Sequence, residues 1–198
     1  MVQMKFSSKR TPTKDKTERI YQTLKEIFSN LEHSIKNKKD LNDLILKENR
    51  NLETTDTLLL EKPEPYTRRI IIDPFLNALG YEPKELAGDA RQDLGDSKKW
   101  SDYTLTFRDD SVLVEAESLN KDLNQKNCGI DQVRIWISSK KTKTDFGVAT
   151  NGFLWIMVKF DNNTLQIKTL KTIDLRPLFL DMRGCLTIHP SRIFFNKL

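Results

Sequence analysis

The stretch WSDYTLTFRDDSVLVEAESL, Trp100 to Leu119, decides how the chain is read. In it Tyr103, Leu105 and Phe107 alternate with polar residues, Arg108 to Ser111 breaks the pattern, and Val112 to Ala116 resumes it with β-branched and apolar side chains. Alternation on both sides of a short polar break predicts a hairpin. With Asp109 and Asp110 as its two-residue turn, Phe107 faces Val112 and Asp102 comes opposite Glu117. Glu115 then shares the face of Glu117 and lies diagonal to Asp102, because side chains two apart leave a strand on the same side. Three carboxylates meet on one patch, with Cβ atoms about 5 Å apart when directly opposed and about 7–8 Å on the diagonal. Such crowding is relieved by protonation, by a neighbouring Lys or Arg, or by a hard cation that accepts carboxylate oxygens. The alternative is a patch that faces water, is screened by it, and binds nothing.

Upstream, EKPEPYTRRIIIDPFLNALGYEP reads as a helix: Glu64 to Tyr66 suit a first turn, and Ile71, Ile72, Phe75, Leu76 and Leu79 form a buried stripe. Gly80 terminates it, and Pro74 predicts a bend or a split. Glu64 and Arg68 stand one turn apart, the spacing of a routine ion pair. Earlier still, Ile20, Leu24, Ile27, Phe28, Leu31 and Ile35 predict an amphipathic helix over 17–35, and Asp40 caps a second carrying Leu41, Leu44, Ile45 and Leu46. These stripes pack on the main domain or on a second copy or partner subunit. Residues 1–16 read as a polar tail.

Downstream of the hairpin, residues 120–127 are polar, and Gly129 to Ser139 predicts a helix with Gln132 and Trp136 one turn apart. Phe146 to Thr150 and Phe153 to Phe160 read as strands around Asn151-Gly152, a strong hairpin signal. Leu165 to Ile167 adds a strand and Leu175 to Met182 a short helix, while 82–99 is a loop with a candidate strand near Glu85 to Arg91. The pattern is that of a mixed α/β domain around a central sheet.

Composition narrows the function classes. The chain of 198 residues has two cysteines, Cys128 and Cys185, and two histidines, His33 and His189, none at metal-ligand spacing, so a zinc site or a histidine-based nucleophile lacks support. No apolar run is long enough for a membrane span and no secretory signal is present, so a cytoplasmic protein is expected. The net charge of +5 is uneven: residues 1–51 carry 12 Lys and Arg against 7 Asp and Glu, and the remainder 21 of each. A basic extension, 1–51, on a neutral domain, 52–198, is the asymmetry of an arm that contacts phosphate.

Taken in order, Glu64 and Arg68, Ser101-Asp102, Val114-Glu115-Ala116-Glu117, Gln132 with Trp136, and Thr150-Asn151-Gly152 followed by Trp155 resemble the PD-(D/E)xK nucleases. The resemblance covers about residues 61–160 and is closest to the nuclease domain at the N-terminus of type I restriction-enzyme motor subunits and related type IIG enzymes. It implies a restriction-endonuclease-like core, αβββαβ, with a mixed central sheet flanked by helices and an N-terminal helical extension. It further implies a DNA endonuclease that uses Mg²⁺, with Mn²⁺ as a substitute, held by Asp102 and Glu115. Glu117 stands where the family has lysine, and Trp136 where it has tyrosine. In that setting Glu117 orients or deprotonates the attacking water or ligates a second ion, Glu64 bonds a metal-bound water, and Gln132 positions its helix. Lys121 and Arg68 are the DNA-binding candidates, Lys121 also being near enough in sequence to replace the missing cation. The competing reading is a catalytically silent DNA-binding or subunit-docking module. DNA, a second copy and a restriction-modification subunit are the implied partners, the last two through the N-terminal helices.

Overall fold

The structure, a computed structural model, describes residues 14–35, 41, 63–81, 102–107, 110–119, 121–139 and 144–182. Helix α1 spans Lys14–Ser34, beginning three residues before the expected start. Its stripe of Ile20, Leu24, Ile27, Phe28, Leu31 and Ile35 is buried in the chain's own core, the first of the two packings open to it. Leu41 is helical and buried in the same cluster; the rest of the expected second helix lies outside the described residues.

The next helical arm is split in three. Helix α2, Pro63–Thr67, runs into a π-helical turn at Arg68–Ile72 and then helix α3, Asp73–Leu79. Pro74 has no N–H to give to the preceding turn, and a π-turn before it absorbs the lost bond. Gly80 closes the arm at φ 93°, a left-handed cap, with its N–H donated to the carbonyl oxygens of Asn77 and Leu76.

Strands β1 (Tyr103–Phe107), β2 (Asp110–Ala116), β3 (Phe146–Thr150), β4 (Leu154–Asp161) and β5 (Gln166–Asp174) form one sheet in sequence order. Helix α4, Gly129–Ser138, crosses over from β2 to β3, which are parallel; every other pair is antiparallel. Helix α5, Arg176–Met182, follows β5. Among the described residues two strands precede α4, and the candidate strand near Glu85 to Arg91 lies outside them. Strand β5 is three times the predicted length. Its Lys168, Thr169, Lys171 and Thr172 hide the strand from a reading based on apolar period, as befits an exposed edge.

The hairpin register differs from expectation by two residues. Phe107 pairs with Asp110, Leu105 with Val112 and Tyr103 with Val114, so the connection is 108–109, outside the described residues, instead of Asp109-Asp110. A slip of two keeps every side chain on its face, so the hydrophobic pattern fits both registers equally. Its consequence is that Asp102 comes level with Glu115, and Glu117 takes the diagonal.

The core lies on both faces. One face carries Tyr103, Val114 and Ala116 under α1, the α2–α3 arm and α5. The other carries Leu113, Ala149, Ile156 and Val158 under α4. Glu115 and Glu117 share the Leu113 face.

Candidate active site

The C-terminal ends of β2 and β3 and the start of β1 bring the carboxylates together. Glu115 sits on a strand paired on both sides and is 6% exposed. Asp102 sits one residue before β1, and its Oδ2 accepts the Ala116 N–H at 2.7 Å, so a side chain takes the place of a ladder carbonyl. Its Oδ1 accepts from Arg68 Nη1 at 3.2 Å. Burial pushes the Asp102 carboxyl above its ordinary range, against the downward pull of the Ala116 N–H and the Arg68 guanidinium. Burial and then the Asp102 charge push Glu115 up further, opposed by the Trp136 indole, whose Nε1–H reaches Glu115 Oε2 at 3.1 Å. Two carboxylates level with one another on neighbouring buried strands cannot both ionise cheaply.

Glu64, at the start of α2, belongs to the same group electrostatically. Its pKa is raised by burial and by Glu117 and pulled down by Arg68 and Lys121. Arg68 reaches Asp102 from the π-turn, and its Nε donates to the Tyr103 hydroxyl at 2.9 Å, which in turn donates to Asp73 Oδ1 at 2.6 Å. Pattern reasoning missed Tyr103 and Asp73, since alternation sends Tyr103 to the face away from Asp102; the two meet through Arg68 at the strand's end.

Glu117 is 4% exposed. Its Oε1 accepts the Gly129 N–H at 2.8 Å, at the start of α4, and its Oε2 pairs with Lys121 Nζ at 2.8 Å. Gln132 instead closes the loop before its own helix, donating from Nε2 to the Asn127 carbonyl at 2.8 Å. On α4 the side chain bonded to a site carboxylate is thus Trp136, one turn on. Asn151, expected as a turn and motif residue, also builds the site: its Oδ1 accepts from the Phe153 and Leu154 N–H groups, and its Nδ2 donates to the Lys121 carbonyl at 2.9 Å. Gly152, at φ 87°, lets the β3–β4 turn pass Thr67 and Ile71, where a Cβ would come within 3.0 and 3.1 Å.

Among the described residues no group of three or more His, Cys, Asp and Glu is arranged to hold a metal ion. Magnesium takes one or two carboxylates with water completing the octahedron, and Asp102 and Glu115 are the two residues that could hold such an ion here. Their mutual repulsion is what a divalent cation relieves. None of the described helices is long and apolar enough to cross a membrane.

The profile of type I restriction enzyme R protein N termini matches residues 63–174, more than half of the chain and every element of the site. A "putative type II restriction enzyme and methyltransferase" of Methanocaldococcus jannaschii is 38% identical over 136 residues, 68% of this chain. The match takes in 11% of that relative's own length. No solved structure matches the chain. With the matched segment running from the helix of Glu64 through the carboxylate strands to the end of β5, the chain belongs to the family of type I restriction enzyme R protein N termini.

Proposed function

We propose that the chain is a Mg²⁺-dependent DNA endonuclease of the restriction type, with a restriction-endonuclease-like αβββαβ core and a D…ExE variant of the D…ExK site. The observation that carries this reading is the level placement of Asp102, partly buried, and Glu115, buried, both with raised pKa values, with Arg68 paired to Asp102 and Lys121 to the neighbouring Glu117. Family membership and the name of the archaeal relative support it. Asp102 and Glu115 would hold the ion, and the chemistry it would supply there is Lewis acidity toward water and the phosphate. In the hydrolysis a water oxygen bonds to phosphorus, one P–O ester bond breaks, the water releases one proton and the leaving sugar oxygen takes one. Glu64 completes the catalytic set, Glu117 and Gln132 position the loop and the helix beside it, and the cations Arg68 and Lys121 contact the DNA backbone. Mn²⁺ substitutes for Mg²⁺. The setting is a cytoplasmic restriction-modification system, with a partner subunit or a second copy docking at the N-terminal helices.

One observation favours a second reading: both oxygens of Glu117 are already engaged, which suits a silent DNA-binding module. Supercoiled and linear DNA, incubated with Mg²⁺, Mn²⁺ or chelator, separate the two. Metal-dependent nicking or linearisation that is absent from Asp102→Ala supports the nuclease; no cleavage above that control with either metal leaves the binding module.

A further inference from the structure

Lys121 differs from an ordinary surface lysine. The segment that carries it is pinned along its length: Glu117 N–H to the Thr150 carbonyl at 2.7 Å, Leu119 N–H to Thr67 Oγ1 at 2.7 Å, and Lys121 N–H to the Ser118 carbonyl at 3.0 Å. The Lys121 carbonyl is held by Asn151, and Ile130 N–H returns to the Leu123 carbonyl at 3.0 Å. Gly129 at φ 43° permits that closure, since a Cβ there would lie 2.7 Å from the Leu123 oxygen. No described residue between 117 and 121 is helical, so the four-residue spacing of Glu117 and Lys121 owes nothing to a helix. Their contact is built by the pinned loop. Within the pair the carboxylate is 5% exposed and the lysine side chain 28%, so the lysine is the member that solvent and a ligand can reach. A site lined by carboxyl groups offers a phosphodiester little attraction without a cation. Among the described residues Arg68 is held inside the cluster by Asp102 and Tyr103, and Lys121 is the cation brought to it from a loop, through Glu117.

We propose that Lys121 is the catalytic cation that touches the scissile phosphate, and that Glu117 and Asn151 are positioning residues acting through it, Glu117 on the ammonium and Asn151 on the Lys121 backbone. This rests on the nuclease reading above. Charge builds on the phosphoryl oxygens in the transition state, where a fixed cation needs no reorganisation. Tethering also spares Lys121 much of the rotamer freedom that a free lysine loses on engaging a ligand.

The test compares the wild type with Lys121→Met, Glu117→Gln, the exchange Glu117→Lys with Lys121→Glu, and Asp102→Ala. Mn²⁺ binding is read by calorimetry, folding by thermal melting, and plasmid cleavage by kcat and KM. Lys121→Met keeps the aliphatic stem but leaves Glu117 without its cation, so it should melt below the wild type yet stay folded at the assay temperature and bind Mn²⁺ within threefold. Its kcat should fall by roughly 100-fold with little change in KM. Glu117→Gln should show a smaller loss, and the charge exchange should recover at least tenfold over Lys121→Met. Cleavage by Lys121→Met within threefold of the wild type overturns the proposal. So does a folded, Mn²⁺-binding exchange variant no faster than Lys121→Met. Should the wild type itself neither cleave nor bind Mn²⁺ in an Asp102-dependent way, the nuclease reading fails and takes this proposal with it. That result is distinct from one in which only the Lys121 variants behave like wild type.

Discussion

The two faces of the sheet are built on different terms. Under α1, the α2–α3 arm and α5, the face is mostly hydrocarbon and holds no buried carboxylate among the described residues, with Phe179 in tilted contact with Phe28 at 4.4 Å and Phe153 at 6.4 Å. Under α4 the apolar cluster is smaller and gives way to Glu115 and Glu117, buried beside Trp136 and the helix's first turn. Burying a carboxylate carries a penalty of several kcal/mol even after partial pairing. The first face therefore supplies the stability that lets the second hold charges, and the buried carboxylates gather where the covering is one helix deep.

The comparison breaks most visibly if activity and stability reside on the same face. Asp102→Ala should reduce metal-dependent cleavage by at least about 100-fold. Its melting temperature should stay within about 5 °C of the wild type, because the lost Ala116 contact is offset by relief of Glu115. Phe179→Ala should do the reverse. It should destabilise by about 3–5 kcal/mol in urea unfolding and leave the specific activity of the folded fraction intact. Comparable activity losses per folded molecule in both variants would dissolve the distinction.

A titration sharpens it. The Glu115 carboxyl has a folded-state pKa above its ordinary 4.5, so the folded state binds that proton more tightly than the unfolded chain. The stability this contributes is complete below pH 4.5 and is lost as pH rises toward the raised value. Wild-type stability should thus decline from pH 5 to pH 8. Glu115→Gln, which keeps an acceptor for Trp136, should flatten most of that slope and be about 1–3 kcal/mol more stable at pH 8. Parallel slopes for the two proteins in denaturant titrations at both pH values would count against a repelled, buried Glu115. The smallest effect belongs to the outer side of α4. Ile135 is 46% exposed, and Ile135→Lys should shift stability by less than about 0.5 kcal/mol, showing that α4 contributes through its inner side alone.

Much of this site was legible because strand alternation is a local property. Tyr103, Leu105 and Val114 put Asp102 and Glu115 on the opposite face whichever of the two registers holds, and Asn151-Gly152 marked the turn that later proved to anchor Lys121. The contacts that strand alternation does not show act across long separations. Trp136 reaches Glu115 from 21 positions away, Arg68 reaches Asp102 from 34, and Tyr103 reaches Asp73 from 30. Strand β5 was cut short for the opposite reason, its polar side chains carrying no burial signal at an exposed edge.

By itself the sequence determined the kinds of elements, the face each carboxylate occupies and the glycine and proline positions at which the chain turns, since these follow from backbone sterics and the two- and 3.6-residue periods. Tertiary structure alone decided the hairpin register, and with it which carboxylate stands level with Asp102. It also decided the pairing of Glu117 with Lys121. A two-residue slip leaves the buried face unchanged, and a loop contact forms when distant anchors such as Thr67, Asn151 and Gly129 close around it.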